Sequence, residues 1–329
     1  MKTPAVVYTG VEQIEVREIE MPPPGPGEVQ IKTAYSIISA GTEGWALKQL
    51  FTWAKTPYPC VPGYQRVGTI VEVGPEVEGW EVGDRVMATV GRWQGEVVPF
   101  WGSHAAVANA VAQELYWIPD GADEIDASGA VVAQVGYNAA SRVAMEPSDW
   151  GVVYGDGLIG QCAAQAAQAR GANVVLVGHR PERLELAAQY SAEVAVNSHK
   201  QDVLEVVREH AGEYVTFVID TVQQEAAQRE YVPLLEHGRG QIVYSGFTPS
   251  ETWASMALLQ QKELTAHFVS GWNRERMDAT LALMAEGRMR LLPLITHQVD
   301  AVARGADMYR MILAKREPFL GIALDWTKA

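Results

Sequence analysis

Over roughly the first 130 residues the apolar positions come in short β-branched runs, AVVYTG, VQIKTAYSII, VGTIVEVG and GDRVMATV, broken by Gly- and Pro-rich turns. That pattern predicts a mostly β domain. From about Ala127 the texture changes. ASGAVVAQVGYNAASRVA predicts a helix, GVVYG a strand, LIGQCAAQAAQARG a helix, NVVLVG a strand and PERLELAAQYSA a helix. AEVAVN, a helical DVLEVVREHA, and the strands TFVIDT and GQIVYSG separated by EAAQREYVPLLEHG continue the series. This βαβ rhythm implies an α/β fold, a doubly wound parallel sheet with helices on both faces. LTAHFVSGW, residues 264 to 272, reads as the last strand of that sheet. A helix RERMDATLALMAEG, an extended LLPLITHQV, another helix and a final strand FLGIALDW follow, with no repeat or low-complexity tract anywhere.

At 329 residues the chain is long enough for two domains that each bury a core. Its 26 basic and 40 acidic side chains leave a net charge of −14, which argues against nucleic acid or an anionic membrane as the main partner and for a small molecule. Cys60 and Cys162 are the only cysteines, too few for a disulfide framework or a four-thiolate zinc knot. The start, MKTPAVVYTGVEQIEV, lacks the apolar run of a signal peptide, and no window reaches the length of a membrane span. The expected compartment is the cytoplasm.

The stretch VVYGDGLIGQ carries the clearest chemistry. Gly155, Gly157 and Gly160 follow a predicted strand and open an Ala-rich helix through Leu158 and Ile159. In a dinucleotide turn the first glycine permits the tight bend, the second lets the backbone approach a pyrophosphate, and the third allows close helix-to-strand packing. Unpaired N–H groups at the helix start then face the phosphates. About 20 residues further on, where an NAD site places an acid for the ribose 2′-OH, stands Gly178, followed by His179 and Arg180. A guanidinium can fork onto phosphate oxygens, so the substitution favours NADP(H). Thr221, Ser245 and Gly246, at later strand ends, complete the expected cofactor set. The bland alternatives are a tight turn and an ordinary solvated loop.

Taken in order, PPPGPGEVQIK, ISAGTE, PYPCVPGYQRVGTIVEVG, WEVGDRV, GSHAAVANAV, the GDGLIG turn and LLPLITHQV resemble the medium-chain dehydrogenase/reductase superfamily, the zinc alcohol dehydrogenase and quinone reductase group, over nearly the full length. The resemblance implies a GroES-like domain for substrate, residues 1–126 and 273–329, interrupted by a Rossmann domain, 127–272, with the active site in the cleft between them and a homodimer built through the LTAHFVSGW edge. Zinc-dependent members of similar sequence hold the metal with a Cys, a His-Glu pair and a third Cys or Glu. Matching the motifs puts Ala40 at the Cys, Tyr64 at the His, Gln65 at the Glu and Val131 at the third ligand. None of Ala, Tyr and Val makes an ordinary zinc ligand set, and the stretch Arg85 to Ser103, where relatives insert a structural zinc lobe, has no cysteine. The expectation is an enzyme without metal. His104 stands alone, and none of the seven histidines shows ligand spacing, so each reads as a surface or structural residue.

Without a metal, charge developing on a carbonyl oxygen needs another donor. By the same match Tyr64 and Thr42 are the candidate proton donors, with Gln65 and Glu43 positioning them; the plain alternatives are a packing aromatic, a turn hydroxyl and a structural acid. Trp45, Trp53, Trp93 and Trp101 are many for one small domain and could line an apolar pocket. The leading expectation is a zinc-independent, NADP(H)-dependent oxidoreductase acting on a carbonyl or alcohol, of the alcohol or polyol dehydrogenase kind. Alternatives implied by the resemblance are a quinone or enoyl reductase and a dehydrogenase oxidising a hydroxyethyl group on bacteriochlorophyllides. From another class comes a non-enzymatic NADPH-binding sensor.

Overall fold

Glu28–Ile37, the longest of the N-terminal β-branched runs, is the spine of a seven-stranded sheet. In order the sheet runs Ile295–Asp300, Gly321–Asp325, Glu28–Ile37, Arg66–Val73, Arg85–Ala88 and Tyr116–Trp117, with Val107–Val111 also paired to the spine. A second sheet of four strands joins Gln13–Glu20, Lys2–Gly10, Cys60–Val61 and Val98–Pro99. Their inward residues, among them Val6, Tyr8, Ile38, Ile322, Leu324 and Trp326, form one core with the helices Ala40–Leu47 and Ala301–Ala314. The structure, a computed structural model, describes every residue from Met1 to Ala329 except positions 247, 250, 251, 253 and 316.

The second unit is built on six parallel strands in the order Val194–Asn197, Asn173–Gly178, Trp150–Tyr154, Phe217–Asp220, Gln241–Tyr244 and Thr265–Phe268. The sequence order reverses beside the first strand, Trp150–Tyr154. In such sheets that switch point, at the strands' carboxyl ends, is where ligands bind. Val152, Val153, Val174, Val175 and Leu176 are wholly buried, which explains their unbroken apolar runs: strands covered on both faces have no polar side to alternate with.

The two units comprise Met1–Val131 with Ile295–Ala329, and Val132–Leu294. The expected return to the β domain at residue 273 therefore comes instead at residue 295. Two causes are visible. Helix Arg274–Ala285 buries Met277, Leu281 and Met284, and Gln165 of the glycine-turn helix bonds the Arg290 main chain twice, at 3.1 Å to its carbonyl and 2.7 Å from its N–H. The single helix expected around ASGAVVAQVGYNAASRVA is two, Glu124–Ser128 capped by the Asp123 carboxylate and Ala130–Ser141, with Gly129 between them. Among the described residues no helix is long and apolar enough to cross a membrane.

Candidate functional site

In the parallel-sheet unit the glycine turn forms as its spacing requires. Gly155 has φ +118°, a left-handed conformation, and a Cβ there would stand 2.0 Å from Thr221 Oγ1. A Cβ on Gly160 would meet the Gly155 carbonyl oxygen at 1.9 Å, so the third glycine is required by packing. Gly157 differs: its added Cβ would meet nothing nearer than Arg183 Nη1 at 4.0 Å. Its side is open to an incoming group. Gly157 is also the N-cap of helix Leu158–Ala169 and no side chain caps that end, leaving the N–H groups of Leu158, Ile159 and Gly160 for a phosphate.

Thr221 closes the floor of the turn, its hydroxyl donating to the Tyr154 carbonyl at 2.7 Å. Ser245 is wholly buried at the end of strand Gln241–Tyr244, and its hydroxyl has no hydrogen-bond partner among the described residues. A buried polar atom left unpaired is costly, so an absent partner is implied. Gly246, at φ +116°, carries the chain away while Gln223 Nε2 donates to its carbonyl at 3.3 Å. These residues fit a dinucleotide.

Strand Asn173–Gly178 ends at Gly178 as read, beside Asp156 of the glycine turn. A Cβ on Gly178 would stand 2.5 Å from Asp156 Cβ and 2.6 Å from Asp156 Oδ2. Asp156, from the glycine turn itself, fills the space where a strand-end side chain would lie. Its Oδ2 accepts the backbone N–H groups of His179 at 3.0 Å and Arg180 at 2.9 Å, while Oδ1 accepts Arg180 Nη1 at 3.1 Å and Arg183 Nη1 at 3.5 Å. Burial works against its charge, but the two backbone bonds and the two guanidiniums outweigh burial and hold its pKa below the usual aspartate value. Arg180, read as a candidate phosphate ligand, is thus also engaged with an internal carboxylate. His179 stacks on His199 with ring centroids 4.9 Å apart, and burial followed by the neighbouring Arg180 lowers its pKa, keeping it neutral near pH 7.

In the β unit, ISAGTE is the start of helix Ala40–Leu47, which sets Thr42 and Glu43 side by side in its opening turns. Glu43 is fully buried. Its Oε1 accepts the Ser39 N–H at 2.8 Å, and its Oε2 accepts His104 Nε2 at 3.0 Å and the Tyr309 hydroxyl. Trp326 Nε1, a donor only, lies 2.9 Å from Ser36 Oγ, which lies 2.8 Å from His104 Nδ1. A continuous hydrogen-bonded chain thus runs from Trp326 through Ser36 and His104 to Glu43. His104, read as standing alone, is buried and bonded to both Ser36 and Glu43. Its ring fills the space that only a glycine at position 63 leaves, since a Cβ there would approach to 2.5 Å.

Tyr64 follows that glycine and is largely buried, its ring packed edge-on against Trp101 at 5.4 Å. Burial first, then the charge of Glu43, push its pKa up, against the hydroxyls of Ser39 and Thr42 that bond it, to about 12. Thr42 and Tyr64 are thus brought together, with Ser39 as a third hydroxyl that the sequence did not single out. Gln65 is fully buried, its Nε2 donating to the Ile37 carbonyl at 3.2 Å. Of the four tryptophans, Trp101 packs on Tyr64; Phe100 and Phe51 pack on Trp101 in turn, and Trp53 on Phe51. Trp93 lies in a separate core cluster and bonds the Val97 carbonyl, while Trp45 packs on the main core.

The positions that the motif match pairs with zinc ligands carry Ala40, Tyr64 and Val131. Ala40 and Val131 end in hydrocarbon and Tyr64 in a phenol, and among the described residues no three His, Cys, Asp or Glu side chains gather where they could hold a metal.

Comparison with known proteins agrees with this architecture. Residues 25–120 match the alcohol dehydrogenase GroES-like domain and residues 159–286 the zinc-binding dehydrogenase family model. An alcohol dehydrogenase of Geobacillus stearothermophilus is 28% identical, covering 94% of this chain and 98% of its own. The 2-desacetyl-2-hydroxyethyl bacteriochlorophyllide A dehydrogenase of Cereibacter sphaeroides is 25% identical over 99% of each chain. Two solved structures share the fold with a TM-score of 0.83: an Escherichia coli alcohol dehydrogenase complexed with NADH, 23% identical over 98% of this chain and 99% of its own, and a Sinorhizobium meliloti zinc-binding dehydrogenase bound to NADP, 19% identical over 99% of each. A GroES-like β domain interrupted by a Rossmann sheet, matched along nearly its whole length, makes this chain a member of the medium-chain dehydrogenase/reductase superfamily, of the zinc-type alcohol dehydrogenase-like group.

Proposed function

We propose that this protein is an alcohol or polyol dehydrogenase-like oxidoreductase that uses NADP(H) in preference to NAD(H) and works without zinc. The observation that carries the reading is the meeting of Tyr64, which the motif match pairs with a ligand histidine, with the hydroxyls of Thr42 and Ser39. When bound at the glycine turn, the nicotinamide cofactor supplies or accepts the hydride. Gly155, Gly157 and the uncapped N–H groups that open helix Leu158–Ala169 would hold its pyrophosphate, and Ser245 offers a hydroxyl that lacks a partner among the described residues.

Tyr64 performs the work otherwise done by a Lewis acid. With its pKa raised it is a neutral donor across the physiological range, and it bonds the substrate oxygen as negative charge grows there. An alkoxide is a stronger base than a phenolate, so the proton passes from Tyr64 to the oxygen in the reduction and returns in the oxidation. A phenolate beside Glu43 is disfavoured, so Thr42 or Ser39 relays a proton to it, taking one from solvent water as it gives up its own. Glu43, held by Ser39, His104 and Tyr309, fixes the helix that presents Thr42.

A second reading is favoured by two observations. The match to the bacteriochlorophyllide dehydrogenase is end to end, and the aromatic cluster of Trp101, Phe100 and Phe51 beside Tyr64 suits a large apolar alcohol. We also read a homodimer through strand Thr265–Phe268, which ends its sheet and leaves Phe268 74% exposed. A monomeric mass by light scattering at micromolar concentration removes that part.

The function is tested by following nicotinamide absorbance with NADPH and NADH against aldehydes, ketones, quinones and alcohols, before and after chelator treatment. Carbonyl or alcohol turnover that survives chelation is expected. Near one zinc per chain in protein purified without added metal contradicts zinc independence, and cofactor binding without any turnover favours a nucleotide sensor.

A further inference from the structure

The loop from Gly178 to Arg183 is an anion site whose anion is part of the chain. Two successive backbone N–H groups, of His179 and Arg180, converge on one oxygen of Asp156, and two guanidinium nitrogens converge on the other. Backbone N–H pairs and guanidiniums are the donors that recognise phosphate oxygens. Four donors use the acceptor capacity of a carboxylate, and the Asp156 side chain is only 3% exposed. It therefore has no lone pair to offer a ribose hydroxyl, unlike the strand-end acid of an NAD site. Gly178 is glycine because Asp156 occupies that volume.

We propose that Asp156 determines how strongly this site distinguishes the two dinucleotides: its carboxylate is a resident anion that competes with the 2′-phosphate for Arg180 and Arg183. This rests on the reading that a nicotinamide dinucleotide binds at the glycine turn. Two guanidinium charges against the carboxylates of Asp156 and Glu182 leave the loop with no excess positive charge, whereas a phosphate monoester carries about −1.5 to −2 near neutral pH. A 2′-phosphate must share guanidiniums that Asp156 already holds, and an uncharged ribose hydroxyl makes no such demand. The chain therefore accepts both dinucleotides, with a preference for the phosphorylated one that Asp156 attenuates.

Neutralising Asp156 should release the two arginines. The dissociation constants of NADPH and NADH are measured by fluorescence titration for the wild type, Asp156→Asn, Arg183→Gln and the double variant. Asp156→Asn is expected to move the ratio about tenfold toward NADPH. Arg183→Gln should move it at least tenfold toward NADH, and adding Asp156→Asn to it should recover most of that loss, a rescue that a purely structural aspartate does not give. A ratio unmoved by Asp156→Asn, or no rescue, overturns the proposal. A further measurement needs no variant: 2′,5′-ADP should bind the wild type less than about 30-fold more tightly than 5′-AMP, and a gain above a thousandfold contradicts a resident competitor. Wild-type protein that binds neither dinucleotide removes the cofactor reading and this inference with it, whereas tight binding with an unmoved ratio removes only the role of Asp156.

Discussion

Asp156 and Gly178, 22 residues apart, occupy one place: the carboxylate of the first lies where any side chain on the second would have to begin. Installing the acid of an NAD site by Gly178→Asp should therefore not produce an NAD enzyme. It should instead destabilise the protein by about 1–3 kcal/mol, as overpacking in a filled interior does. Urea denaturation checks this. The loss should shrink when Asp156→Ala is added, because the volume is then vacated.

Arg180→Ala should weaken NADPH about fivefold and leave NADH nearly unchanged, measured as dissociation constants. A charge-assisted bond to phosphate is worth roughly 1.5–3 kcal/mol when uncontested. Here about 1 kcal/mol is expected, since the guanidinium is about half exposed and shared with Asp156. Equal losses for the two cofactors would show that Arg180 does not meet the 2′ position.

Alkaline pH should expose the buried tyrosines. Tyr8, Tyr64 and Tyr309 all have pKa values raised by burial first and by Glu43 in addition, to about 12 for Tyr64. In the unfolded chain a tyrosine titrates near 10, so above that pH the folded state holds more protons than the unfolded one. The stabilisation is complete below about pH 10 and is lost as pH rises through the folded values. For Tyr64 alone that is about 1 kcal/mol between pH 10 and 11. Denaturant titrations at the two pH values should show a loss smaller by that amount in Tyr64→Phe.

What could be read from the sequence was local. Apolar period and glycine spacing are set within a few residues, so the parallel strands and the turn at Gly155, Gly157 and Gly160 follow from them. The reason for Gly178 was not legible, because it depends on Asp156 folding back from another strand end. Asp156 stood inside the G-D-G motif, and Arg183 three residues after Arg180, the spacing that places two side chains on one helix face. Glu43 was legible as an acid beside Thr42, but its partners His104 and Tyr309 lie 61 and 266 residues away. Only the folded chain brings them together. The boundary at residue 295 was missed because a helix's apolar face does not say which core it joins.

The central claim is that a phenol, and no metal, handles the proton at the substrate oxygen. Tyr64→Phe keeps the ring that packs on Trp101 and removes only the hydroxyl. The most direct test is the kcat of this variant, in chelator-treated protein at saturating cofactor, on whichever carbonyl or alcohol the wild type turns over. The account predicts a fall of about 100-fold or more with cofactor affinity retained. A kcat within about twofold of the wild type would contradict it.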